Sequence, residues 1–126
     1  MRPQPDASQP DVSSLLPLTP RVLLILWALE ERPQHGYRLL KMAEELGRGR
    51  VSIGPASLYE SIAALEKRDL IERTVEPQGV DREDKRRRYF QLTDRGRKVL
   101  KAEANRVARL AVDLREAGLV DSGGRS

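Results

Sequence analysis

Catalysis needs titratable or nucleophilic groups that converge, and this sequence supplies few. His35 is the only histidine, and there is no cysteine. A lone imidazole without a thiolate is a poor metal site, so neither a metal nor another cofactor is expected. The absence of cysteine also excludes disulfides and fits a reducing cytoplasm. The carboxylate pairs Glu30-Glu31 and Glu44-Glu45 are adjacent in sequence. On a helix, neighbours point about 100° apart, so neither pair converges as an acid and a base must. No glycine-rich phosphate loop is present. His35 stands directly before Gly36, where it reads as a helix cap rather than as part of a nucleophilic set. The expectation is a protein that is not an enzyme.

The chemistry that remains is charge. Lys85-Arg86-Arg87-Arg88 is the densest basic cluster, and arginine suits bidentate contact with phosphate. The net charge is +4. It is spread unevenly, −1 over residues 1–17, +2 over 18–92 and +3 over 93–126. A polyanion must therefore be met by local clusters and not by a uniformly basic domain.

The elements that would position such clusters follow from periodicity and caps. Residues 1–17 hold four prolines among Ser, Gln and Asp and read as a disordered or docking arm, with Leu15 and Leu16 able to dock. Thr19-Pro20 starts a first helix, to about Glu31, because threonine caps free N–H groups and proline fits the first turn. Its middle, Val22–Leu29, is apolar all round and so must be buried all round. A second subunit is expected to cover what one small domain cannot. His35-Gly36 opens a second helix with Leu39, Leu40, Ala43 and Leu46 inward, stopped at Gly47. Val51–Ile53 is expected as a short strand. Gly54-Pro55 starts a third helix with a narrow stripe of Leu58, Ile62 and Leu65. Leu70–Glu76, with Ile71 and Val75 on one face, and Arg86–Leu92, with Phe90 and Leu92 inward, read as a hairpin around a polar loop at 77–85. Within the returning strand, alternation puts Arg87, Tyr89 and Gln91 on one face and Arg88 on the other. Thr93-Asp94 caps a last helix to about Ala117, where Leu100, Val107 and Leu114 repeat every seven residues beside Ala104, Leu110 and Ala111. Gly118 ends it, and 119–126 is a tail.

Aromatic residues make up only 4% of the chain, which favours an aliphatic core of packed helices. The longest apolar run, eight residues, is far short of the roughly 20 of a membrane span. No secretory signal is apparent. These features predict a soluble, cytoplasmic protein. The fold class expected is mainly α with a small β-hairpin. Residues 18–92 form a winged helix-turn-helix, and 93–118 form a C-terminal dimerisation helix.

Three stretches sharpen this reading: His35-Gly36-Tyr37; Gly54-Pro55-Ala56-Ser57-Leu58-Tyr59 running on to Leu65-Glu66-Lys67-Arg68-Asp69-Leu70-Ile71; and Arg87-Arg88-Tyr89-Phe90-Gln91-Leu92-Thr93 with Gly96 beyond. Together and in this order they resemble the PadR family of transcription regulators, over about residues 18–118. The length is similar to that of its short form, with one C-terminal dimerisation helix. The resemblance implies a homodimer that binds operator DNA and represses transcription until a small molecule or stress signal is sensed.

On that reading the third helix enters the major groove and the hairpin wing meets the backbone. The candidate DNA-binding residues are Tyr37, Lys41, Pro55, Ala56, Ser57, Tyr59, Glu60, Lys67, Arg86, Arg87 and Arg88. Glu60 is acidic, and Ala64 stands where family members often carry a basic residue. Glu60 either accepts from cytosine or repels phosphate. The candidate dimer interface is Leu23, Trp27, Leu100, Ala104, Val107, Leu110, Ala111 and Leu114. Trp27 packs in a core or walls an effector pocket, since the resemblance implies flat aromatic ligands at the dimer interface of some members. The competing expectation is a winged-helix module that binds protein and not nucleic acid.

Overall fold

The first helix, α1 (Pro20–Ala28), starts where the sequence says it should. The Thr19 side chain accepts from the Val22 N–H at 3.2 Å. The computed structural model describes residues 11–75 and 88–121. Leu24, Ile25, Leu26 and Ala28 of α1 are buried. The helix stops three residues before Glu31, with Leu29 as its cap. Burial on every side does not hold within one chain, for Trp27 is 48% exposed and Leu23 is half-buried.

A two-residue strand, β1 (Gln34–His35), precedes α2 (Gly36–Leu46). His35 is both strand residue and helix cap. Its extended backbone suits a ladder, and its Nδ1 accepts from the Arg38 N–H at 3.3 Å. Caps lie in the β region of backbone space, so one residue serves both elements. Gly47 caps α2 with φ −79, so it is not needed there for a left-handed turn. A Cβ would lie 2.8 Å from Leu24 Cδ1, and packing against α1 is its reason. The strand expected at Val51–Ile53 does not form. Ile53 is instead buried in the core ahead of α3 (Pro55–Lys67).

Leu58, Ile62 and Leu65 form the buried stripe of α3. A three-stranded antiparallel sheet follows, in the order β1-β3-β2, with β2 Ile71–Thr74 and β3 Tyr89–Leu92. Ile71 pairs with Leu92 and Thr74 with Tyr89, while Gln34 pairs with Phe90. Phe90 and Leu92 are buried as expected. Val75, expected on one face with Ile71, is 82% exposed where Ile71 is buried, because β2 ends at Thr74. Tyr89 is also buried, with its ring edge-on to His35 at 5.5 Å between centroids. β1 covers the edge that a two-stranded hairpin would leave open. The hairpin tip, with the expected loop at 77–85, lies outside the described residues.

Thr93 joins the sheet to α4 (Asp94–Glu116). Its hydroxyl donates to the Asp69 carbonyl at 2.6 Å and accepts from the Gly96 N–H at 2.9 Å. Gly96 is pressed onto the Leu70 backbone, where a Cβ would overlap the carbonyl oxygen. Arg95 Nε donates to the Arg68 carbonyl at 3.1 Å, and Arg97 donates to the Glu30 carbonyl at 3.1 Å. The first turn of α4 thus satisfies carbonyls at the C-terminal ends of both α3 and α1. Gly118, at φ +77, closes α4 in the left-handed conformation.

Residues 11–18 lie on this same body. Asp11 caps a short 3-10 helix, Val12–Leu15, and Leu15, Leu16 and Leu18 pack against the core.

Candidate nucleic-acid interface

The third helix presents a bare face. Pro55, Ala56, Tyr59, Glu60 and Lys67 are exposed, while Ser57 is half-buried. Ser57 sits about 100° around the helix from Ala56, toward Leu58, so its hydroxyl is less available than the sequence suggested. Glu60 makes no ion pair among the described residues. It does line a cleft of about 380 Å³ with Arg21 and Arg68.

Beside α3, the opening turns of α2 add Tyr37 and Lys41, both exposed, with Lys41 Nζ 5.7 Å from the Tyr37 ring centroid. A cation over an aromatic face is held without losing its charge. Tyr59 leans the other way, onto α2, with its hydroxyl over Gly36. Of the wing arginines, Arg88 is exposed just ahead of β3. Arg86 and Arg87 lie outside the described residues. Two cations went unnoticed in the sequence. Arg48 and Arg50 are exposed in the turn before α3, and Arg48 takes φ 55. Their signal was a basic pair split by Gly49.

A model of the transcriptional regulator PadR-like family matches residues 25–102, from the middle of α1 to the first half of α4. The chain belongs to that family. A curated relative, an uncharacterised 37.1 kDa protein in transposon Tn4556 of Streptomyces fradiae, is 37% identical over 99 residues. The match covers 79% of this chain, which spans only 26% of that relative's length. A PadR-like transcriptional regulator from Bacillus cereus has a TM-score of 0.65 at 20% identity, covering 87% of this chain and 97% of that one. At that identity the likeness shows the winged-helix fold. Bacillus subtilis PadR, solved in complex with operator DNA, has a TM-score of 0.51 at 26% identity, covering 64% of this chain and 44% of that one.

A second surface of this PadR-like chain lies between α1 and α4. Five of the residues expected at a dimer interface (Leu23, Trp27, Leu100, Ala104 and Val107) line one groove of about 650 Å³, with Glu30, Arg97 and Lys101. Leu100 is only 9% exposed, so most of its surface is already spent inside its own chain. Leu110, Ala111 and Leu114 lie farther along α4 and are exposed.

The sequence reading missed Glu103. It is 1% exposed, yet both carboxylate oxygens are used. Oε1 accepts from Arg106 Nε at 2.6 Å, and Oε2 accepts from Arg106 and from the Leu18 N–H at 2.9 Å. The Arg106 hydrogen bond holds the Glu103 carboxyl below the usual carboxylate range, against the opposing effect of burial. The Leu18 N–H and the Arg106 charge act in the same direction as that bond. Glu103 therefore fastens the N-terminal segment to α4. The only sequence signal was its i,i+3 spacing from Arg106.

Proposed function

We propose that the protein is a DNA-binding transcription regulator that acts as a homodimer and represses until an effector releases it. The observation that carries the reading is the bare face of α3, flanked by Tyr37, Lys41 and the turn cations. A helix held by one narrow stripe, with its opening turns free, has the form that enters a major groove. Its N-terminus offers unpaired N–H groups and partial positive charge toward phosphate. The wing arginines Arg86, Arg87 and Arg88 add backbone contacts, which position the protein and carry little sequence information. That a relative, Bacillus subtilis PadR, has been solved with operator DNA supports the same reading.

The dimer follows from α4. Leu100, Ala104, Val107, Ala111 and Leu114 share one face at heptad spacing, and beyond Leu100 the residues of that face are exposed among the described residues. The groove beside Trp27 is the place where a flat apolar effector fits, bounded by the helix that holds the dimer. Binding there repacks α1 against α4 and so alters how two heads are spaced.

Selection from random duplex DNA tests the reading. A dimer should enrich a roughly palindromic site with half-sites about one helical turn apart. The weak charge of α3, with Glu60 and Ala64 on its outer face, favours a second reading, a module that binds protein alone. Early elution from heparin, with no enriched motif from a folded dimer, would establish that alternative.

A further inference from the structure

Gly36 is the first residue of α2, and its backbone does not require glycine, for its φ lies outside the left-handed region. Alanine is the better helix former at such a position. The reason for glycine lies across the helix pair. A Cβ at Gly36 would overlap the Tyr59 hydroxyl and lie 2.8 Å from Cζ and 3.3 Å from Cε1 of the same ring. Tyr59, in the second turn of α3, is 51% exposed, so its ring lies over this glycine with its other side bare. No hydrogen bond holds the hydroxyl among the described residues. Shape alone seats it.

We propose that Gly36 is a positioning residue for DNA reading, the empty place at which Tyr59 sets how the start of α3 sits on α2. The proposal rests on the DNA-reading function above and names a determinant of its specificity. A methyl group at Gly36 is relieved in one of two ways. The ring swings outward into the space a base pair occupies, or the first turns of α2 and α3 move apart. Either change alters the reading face and leaves the buried stripe of Leu58, Ile62 and Leu65 in place. Phosphate contacts made by the wing are untouched, so the loss falls on sequence recognition.

The test uses full-length dimer and the duplex that wild-type protein selects from random DNA. Gly36→Ala should weaken that duplex at least tenfold, weaken a scrambled duplex by less than threefold, and leave the thermal midpoint unchanged or raised. The same substitution in a Tyr59→Ala background should change selected-duplex affinity by less than twofold. Such non-additivity is the signature of two residues acting through each other. Equal losses in both backgrounds, or an unchanged affinity in the first, overturn the proposal. If Gly36→Ala fails to fold, a folded Gly36→Ala/Tyr59→Ala protein supports the pairing, and an unfolded one overturns it. If wild-type protein selects no motif, the DNA-reading function itself falls and takes this proposal with it, an outcome visible before any variant is made.

Discussion

The two halves of α4 share a helix and little else. From Asp94 to Glu103 it is bound into the head, with Gly96, Val99, Leu100 and Glu103 buried. From Ala104 onward no residue is buried, and Val107, Leu110, Val112 and Leu114 are exposed. The first half is packed into its own chain, whereas beyond Arg106 the second half has every side chain exposed among the described residues. A helix of a dozen residues is marginal alone in water. The contrast teaches that folding and, in the proposed dimer, assembly are written on one element, in series.

Substitutions on either side of that divide should behave differently. The largest effect belongs to Leu110→Glu. In a dimer sealed by this stripe it buries an unpaired charge, at a cost of about 3–5 kcal/mol, which is a hundredfold or more in dimer affinity. Sedimentation should show monomers at micromolar concentration, and circular dichroism should show the head still folded. A dimer of unchanged affinity would remove Leu110 from the interface. Next comes Leu39→Ala, in α2 and fully buried. It should cost about 2–5 kcal/mol in urea unfolding of the head and leave the dimer constant of the folded protein unaltered.

The smallest effect lies at the divide itself. Glu103→Gln keeps the shape and removes the charge that Arg106 and the Leu18 N–H bind, for a loss of about 1–3 kcal/mol at neutral pH. Because the folded carboxyl is held below its ordinary value, the stabilisation is present above about pH 4.5 and fades as pH falls through the folded pKa. Wild-type stability should therefore drop below that pH more steeply than that of Glu103→Gln. Parallel acid limbs would show that Glu103 is not the group responsible.

These contrasts also mark what could be read from residues alone. α3 was legible because Gly54-Pro55 announces its start and three apolar positions fix its inner face. α4 was legible through Thr93, its seven-residue repeat and Gly118. β1 was not, since two residues carry no period, and Gln34–His35 becomes a strand only because β3 has an edge to fill. The early end of α1 was hidden for a similar reason. Arg97, distant in sequence, binds the Glu30 carbonyl just beyond the end of α1. Ser57 and Tyr59 are hydroxyl residues two apart, and nothing local shows that one is half-buried and the other leans on Gly36. Glu103 looked like one more surface charge. Its burial depends on Leu18, which the periodicity of α4 does not include.

The paired grip of Arg95 and Arg97 has a mechanical consequence. With α1 and α3 both tied to its first turn, α4 is a lever attached to the winged-helix head. Its 23 residues span about 34 Å at 1.5 Å per residue. A tilt of about 6° at the far end of such a lever moves the head by about 3.5 Å, close to the axial rise of about one base pair of duplex DNA. In the proposed dimer, a change of about that size in how the two distal halves cross would shift the contact with one half-site by about one base pair.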